Sequence, residues 1–467
     1  MNTRTEHDLL GDMEIPAEAW YGIQTQRAID NFSITGVPIS HFPPLITALA
    51  MVKQAAAKAN RNTGSMLPEK ADAIIAACED IIAGDLHDQF KVDLIQGGAG
   101  TSTNMNANEV VANLALHKLG YEKGQYDKLH PNNDVNQSQS TNDAYPTAVR
   151  LGIVFAAQPL VTAIQELKTS LNEKAEEFSD VLKMGRTQLQ DAVPMALGQE
   201  FEAFAVTLQE DIDRIKECTL LLCEVNLGGT AIGTGINAHS DYTPLAIESL
   251  AERSNQPIKL ATNLIEATSD MGAFVTFSSM LKRLSIKLSK ISNDLRLLSS
   301  GPRTGFGEIH LPPMQPGSSI MPGKVNPVIP EAVNQTAYQV IGNDLAVTLA
   351  AEAGQLQLNA MEPLIAYNIL ISIKMLVSAC NMLEKRCIRG IKADREQCAR
   401  HVENSVGIVT ALVPHIGYEN ATRIANIALK TNATVKDLVL DEGLLDEALL
   451  SELLSPESML APQSRIA

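Results

Sequence analysis

The residues best equipped for chemistry stand together at Gly317–Pro327, reading G-S-S-I-M-P-G-K-V-N-P. Gly and Pro keep this backbone out of a regular helix, so the segment reads as a loop bearing two hydroxyls, an amide and one ammonium. Two more segments interrupt helical patterns with small polar groups. One is Gly97–Asn104, G-G-A-G-T-S-T-N, echoed by Ser140-Thr141-Asn142-Asp143. The other is Gly185–Asp191, G-R-T-Q-L-Q-D. Alone, any one of them reads as a turn or a helix cap. Together, attached to long helical patterns, they supply the many neutral donors that recognition of a carboxylate requires.

Several chemistries do not fit. Gly317–Lys324 has G-x5-G-K spacing where a phosphate loop needs G-x4-G-K, and Val325 stands where Mg²⁺ needs Ser or Thr. There is no G-x-S-x-G elbow for an acyl-transfer serine. The histidines lie outside the polar clusters and none form H-x-x-x-H, so no metal centre is expected. Gly228–Gly235, G-G-T-A-I-G-T-G, lacks the strand–helix context of a dinucleotide site and reads as a turn or a close backbone approach. What remains is a donor-rich site with one Lys and no histidine base. Removing a proton next to a carboxylate creates a doubly charged aci-carboxylate, which preorganised donors must hold. A serine serves as the base only where loop amides and a cation stabilise its anion. Ser318 lies in a Gly/Pro-shaped loop six residues before Lys324, a placement compatible with that role but not sufficient to establish it.

The elements that position these groups are helical. Hydrophobic residues make up 45% of the chain and aromatics 4%, with Ala and Leu carrying the apolar load. Apolar residues recur at three- and four-residue spacing over Val154–Phe178, Met195–Glu224, Leu264–Leu298, Val328–Ala351 and Met361–Ile388, predicting an elongated bundle of long helices. Their apolar content on more than one face predicts association with other chains. Shorter helices and polar turns precede the bundle, and short acidic helices follow it. The expected domains are therefore 1–143, 144–392 and 393–467. A formal charge of −17 argues against nucleic-acid or anionic-membrane partners. The N-terminus shows no apolar signal region and no uncharged apolar run suggests a membrane span, so a cytoplasmic location is expected. The six cysteines lack C-x-x-C spacing and are expected to be buried or free thiols.

The loop resembles the signature of the aspartase/fumarase superfamily, and the resemblance extends along nearly the whole chain. It includes E-I-P-A-E-A-W-Y-G-I-Q-T-Q-R-A from Glu14, Q-G-G-A-G-T-S-T-N-M-N from Gln96 and Q-S-T-N-D-A-Y-P-T from Gln139. It continues through K-M-G-R-T-Q-L-Q-D-A-V-P-M from Lys183, E-A-G-Q-L-Q-L-N-A-M-E-P from Glu352 and N-S-V-G-I-V-T from Asn404. T-N-D-A-Y-P-T, A-G-Q-L-Q-L-N and the segment around Gln188 resemble the aspartase branch more than the class II fumarases, which usually carry His where Gln188 stands.

The resemblance implies a mainly α-helical, three-domain subunit whose central helices build the core of a homotetramer, each active site drawing on three chains. It implies that Ser318 is the general base on a closing loop. It places Thr101, Ser140, Thr141 and Ser319 around the carboxylate next to the abstracted proton. Lys324, Asn326 and Thr187 fall on the other carboxylate, and Asn142 and Gln188 near the leaving amino group. The implied reaction is reversible deamination of L-aspartate to fumarate and ammonia by anti elimination. It needs no cofactor, because the substrate's own carboxylate is the electron sink. Elimination of water from malate is the alternative activity, and a non-catalytic structural homologue, like the lens crystallins of another branch, the distant one.

Overall fold

A computed structural model describes residues 2–460, and they are mainly helical. In chain order the elements begin with the antiparallel hairpin β1 (Thr3–Asp8) and β2 (Gly11–Pro16), then α1 (Ile23–Asn31), α2 (Pro43–Asn62), α3 (Pro68–Ala83), α4 (Thr101–Lys118) and α5 (Thr141–Glu177). A second antiparallel hairpin, β3 (Leu182–Thr187) and β4 (Gln190–Ala196), leads into α6 (Leu197–Leu221). The short parallel strands β5 (Glu224–Val225) and β6 (Lys259–Leu260) flank α7 (Tyr242–Ser254). Then come α8 (Leu264–Ser269), α9 (Gly272–Leu298), β7 (Ile309–His310), α10 (Val328–Glu352), α11 (Glu362–Arg386) and β8 (Lys392–Ala393), with β7 and β8 antiparallel. The tail holds α12 (Arg395–Asn404), α13 (Val409–Ile416), α14 (Tyr418–Thr431), α15 (Val435–Asp441), α16 (Glu447–Leu453) and α17 (Pro456–Leu460). Residues 461–467 of the expected tail lie outside the described residues.

Two compact units emerge, each drawn from separated stretches. The first takes the chain up to Thr162 with Ile212–Ser285 and Tyr338–Val377; the second takes Ala163–Asp211, Ile286–Ala337 and the chain from Ser378. The boundaries fall inside α5, α6, α9, α10 and α11, so each long helix gives one end to each unit.

In the first unit, α2 is buried on most of its surface, through Ala48, Ala50, Ala55, Ala56, Ala57 and Ala59 together with Leu45, Leu49 and Val52. Small side chains let α3 and α7 pack against it closely. In the second unit, the tail helices close around Val402, Ile408, Leu412, Ile424, Val439 and Leu450, and Met184 of β3 inserts into the same cluster.

The helices depart from the sequence expectation in two informative places. The helix expected from Val154 begins at Thr141 and runs through Pro146. Pro146 cannot donate to the carbonyl of Asn142, and Asn226 Nδ2 takes its place, donating to that oxygen at 3.0 Å. The helix expected over Leu264–Leu298 is two helices. Asp270 is extended, and its carboxylate accepts from the Gly272 amide at 2.9 Å, which ends α8 and starts α9.

By length and hydropathy alone, Thr141–Glu177 and Glu362–Gly390 could cross a membrane; 72% and 61% of their most apolar windows are buried inside the fold, as for core helices. All six cysteines are buried free thiols. On α10, Tyr338, Leu345 and Leu349 are each about 60% exposed. Their spacing sets them along one side of the helix.

Gly228–Gly235 is a turn of close backbone approach. Gly233 has φ +98°, and a Cβ there would lie 2.3 Å from the Ile265 nitrogen. Gly233→Ala is therefore expected to destabilise by about 2 kcal/mol or more, through strain and backbone overlap together. A thermal-denaturation midpoint equal to the parent's would contradict this.

Candidate active site

The residues singled out from sequence divide between the units. Thr101, Ser140, Thr141 and Asn142 belong to the first. Thr187, Gln188, Ser318, Ser319, Lys324 and Asn326 belong to the second.

In the first unit, the N-terminal turns of α4 and α5 are brought together. Gly100 precedes α4 at φ +90°, and a Cβ there would strike the Tyr145 ring of α5 at 2.4 Å, so only glycine permits this approach. One turn into α4, Asn104 Nδ2 donates to Thr141 Oγ1 at 3.1 Å. Thr101 is exposed and donates its hydroxyl to the Gly98 carbonyl at 2.7 Å. Ser140 precedes α5, and its Oγ accepts from the Asn142 amide at 3.2 Å. Asn142 Nδ2 donates to the Ala231 carbonyl at 2.8 Å, which leaves Asn142 Oδ1 as the acceptor of that side chain.

Asp143 holds this arrangement from behind. Fully buried, it accepts from the Ser140 amide through Oδ1 and from the Gly228 and Thr230 amides through Oδ2, each at 2.9 Å. Burial pushes its carboxyl up to about 6, while these amides and Lys53 pull the other way. The glycine-rich turn thus serves the site as a backing. Lys53 is also fully buried, and burial draws its ammonium down to about 7 against the pull of Asp143.

In the second unit, Thr187 and Gln188 sit exposed at the tip of the β3–β4 hairpin. Gln188 and Leu189 form its two-residue loop with φ of 54° and 62°. Such turns usually take Asn-Gly, so two bulky residues here are held in a costly conformation by the strands beneath. The base of the hairpin is tied down by charge. Glu308, 0% exposed, faces Arg186 Nη1 at 2.7 Å, His401 Nδ1 at 2.9 Å and Lys183 Nζ at 3.2 Å. Lys183 also pairs with Glu200 at 2.6 Å. Asp191 of β4 accepts from Ser405 Oγ at 2.7 Å.

The loop from Leu311 to Pro327 leaves β7 and enters α10. It closes on itself: the Gly317 amide donates to the Lys324 carbonyl and Asn326 Nδ2 to the Gly317 carbonyl, both at 2.8 Å. Ser318 is half-buried, and its Oγ accepts from the amides of Ile320 at 3.2 Å and Met321 at 3.0 Å. Donors aimed at that oxygen favour its anion. Lys324 is exposed and forms no ion pair among the described residues. It lines a cleft of about 500 Å³ with Arg296, His310 and Asn326. Among the described residues, no group of three or more His, Cys, Asp and Glu side chains is arranged to hold a metal ion.

The chain matches a lyase family over residues 11–342 and the fumarase C C-terminus over residues 408–461. It belongs to this lyase family. Aspartate ammonia-lyase of Pseudomonas aeruginosa is 64% identical over 99% of this chain and 98% of its own length. The enzyme of that name from Escherichia coli is 53% identical over 99% and 97%. Among solved structures, a fumarate lyase:delta crystallin from Brucella melitensis bound to cobalt shares 57% identity and a TM-score of 0.96, covering 99% of this chain and 100% of its own. Class II fumarase from Schistosoma mansoni shares 34% and a TM-score of 0.93 over the same fractions. The mainly helical superfamily fold expected from sequence is the fold observed.

Sequence reasoning missed the buried supports. Lys53 interrupts the apolar run A-L-A-M-V-K-Q-A-A-A, a lysine set among small and apolar residues, and that was a legible signal. Nothing around Glu308 announces its cationic partners, which arrive from distant segments.

Burial alone would raise the Glu308 carboxyl, but Lys183, the His401 bond and Arg186 outweigh it and hold the group below its ordinary 4.5. A carboxyl depressed on folding stabilises fully above its unfolded value and loses that contribution as pH falls through the folded one. Glu308→Gln is thus expected to cost about 3 kcal/mol at neutral pH, with the gap to the parent closing below about pH 4. Denaturation midpoints at both pH values check this, and a gap independent of pH would contradict it.

Proposed function

We propose that this chain catalyses the reversible deamination of L-aspartate to fumarate and ammonia. The observation that carries the reading is full-length identity of 53–64% to aspartate ammonia-lyases, in a chain whose Ser318 oxygen receives two loop amides. Ser318, as the oxyanion, removes a proton from C3, and the electron pair passes into the adjacent carboxylate to give the aci-carboxylate. Ser140, Thr141 and Ser319 donate to that group as its charge grows, and Thr101 joins them by turning its hydroxyl from the Gly98 carbonyl. Collapse of the intermediate forms the C2–C3 double bond and breaks the C–N bond on the opposite face, releasing ammonia.

Lys324, Asn326 and Thr187 hold the other carboxylate, with Lys324 supplying a cation that has no ion-pair partner among the described residues. Asn142, its amide nitrogen committed to Ala231, offers Oδ1 to the N–H groups of the substrate, and Gln188 shares that role. We further propose that the protein works as a homotetramer, each active centre completed by residues of three copies. The exposed apolar side of α10 supports such assembly. The proposed domains remain 1–143, 144–392 and 393–467, and the proposed location is the cytoplasm.

Purified protein is expected to form fumarate from L-aspartate, followed by ultraviolet absorbance, and to act far more slowly on malate. Preferred turnover of malate would replace this reading with a fumarase. Ser318→Ala is expected to lower kcat by at least about 10²-fold while leaving the fold and assembly intact. Lys324→Ala is expected to weaken dicarboxylate binding by roughly tenfold or more. Near-normal rates in the first variant remove Ser318 as the base, and unchanged affinity in the second removes Lys324 from the site.

A further inference from the structure

Lys53 lies on α2, is 0% exposed and faces no carboxylate within ion-pair distance among the described residues. Burying an ammonium costs several kcal/mol unless its donors are satisfied. Here the satisfaction is complete. Nζ donates to Asn104 Oδ1 at 2.6 Å, Gln139 Oε1 at 2.9 Å and Asn136 Oδ1 at 3.0 Å. A neutral amine has two hydrogens and an ammonium three, so three oxygen acceptors favour the charged form against the cost of burial.

The amide orientations are fixed independently. Gln139 Nε2 donates to the Val135 and Gln137 carbonyls, and Asn136 Nδ2 donates to the Gln139 carbonyl. Asn104 Nδ2 donates to Asn136 Oδ1 and to Thr141 Oγ1, both at 3.1 Å. Each of these side chains therefore turns an oxygen, and not a nitrogen, toward Lys53.

The consequence falls on Thr141. Its oxygen is occupied as an acceptor, and no acceptor within the described residues takes its hydroxyl hydrogen. Thr141 is half-buried at the start of α5, so that hydrogen is free for a ligand. We propose that Lys53 is a positioning residue that polarises Thr141 through Asn104, making the Thr141 hydroxyl a stronger donor to the carboxylate that gains charge during the reaction.

The chain runs in one direction: ammonium to Asn104 oxygen, Asn104 nitrogen to Thr141 oxygen, Thr141 hydroxyl to substrate. Each donor is strengthened by the one behind it, and the burial of Lys53 away from water leaves its field weakly screened. The benefit is largest when the substrate carboxylate is doubly charged, so it belongs to kcat more than to KM. This inference rests on reading Thr141 as a partner of that carboxylate.

A double-mutant cycle on the full-length protein tests it. Lys53→Met is expected to lower kcat for L-aspartate roughly tenfold, with KM changed by less than about twofold. In a Thr141→Val background the same substitution is expected to change kcat by less than about twofold, because the polarised hydroxyl is gone. Asn104→Ala keeps the lysine side chain and cuts the relay, so it provides the same cycle should Lys53→Met fail to fold. If Thr141→Val lowers kcat and the second substitution multiplies its full effect onto that loss, the relay is overturned while the site reading survives. If Thr141→Val leaves kcat and KM unchanged, both fall together.

Discussion

A single buried carboxylate, Asp143, ties the start of α5 to the glycine-rich turn at Gly228–Thr230. Ser140, Thr141 and Asn142 take their positions from that joint. Asn226 meets the carbonyl left free by Pro146, and Ala231 receives the Asn142 amide, so the turn and the helix start are fixed to each other at several points. A buried carboxylate is tolerated because backbone N–H groups meet it from two segments, and because Lys53 lies close enough to pull its carboxyl downward. Polar groups that would be costly alone thus support one another, and hydroxyls at the helix start are left facing outward.

The second unit solves the same problem with full charges. Glu308 gathers Arg186, His401 and Lys183 beneath a hairpin whose tip is conformationally strained. Strain at Gln188 and Leu189 persists only where the surrounding structure outweighs it. Here that structure comprises the ion cluster, the Asp191–Ser405 bond and the apolar seat of Met184. The Ser318 loop is held more lightly, by bonds within itself and by exposed residues, as suits a segment expected to close over substrate.

Much of this was legible in the sequence because its signals are local. Helical periodicity located the five long helical stretches, and Gly and Pro marked the Ser318 loop. The boundaries that escaped were set by distant partners. No reading of Pro146 in isolation places it inside a helix, since the group that compensates for it, Asn226, lies eighty residues away in the chain. The break at Asp270 depends on one side chain bonding to a backbone amide two residues on, which a run of apolar periodicity conceals. The polar segments pointed to carboxylate chemistry through their composition. Their supports, Lys53 and Glu308, are single charged residues whose meaning appears only when other segments surround them.

In the proposed reaction a single base moves a proton on one face of C3 while nitrogen, not oxygen, enters or leaves at C2. Running the reaction backward in D₂O with fumarate and ammonium tests both halves at once by proton NMR. The expected product is aspartate with one deuterium at C3, as a single diastereomer from anti addition, with no more than traces of malate. Malate as the main product, or aspartate labelled on both faces of C3, would contradict it.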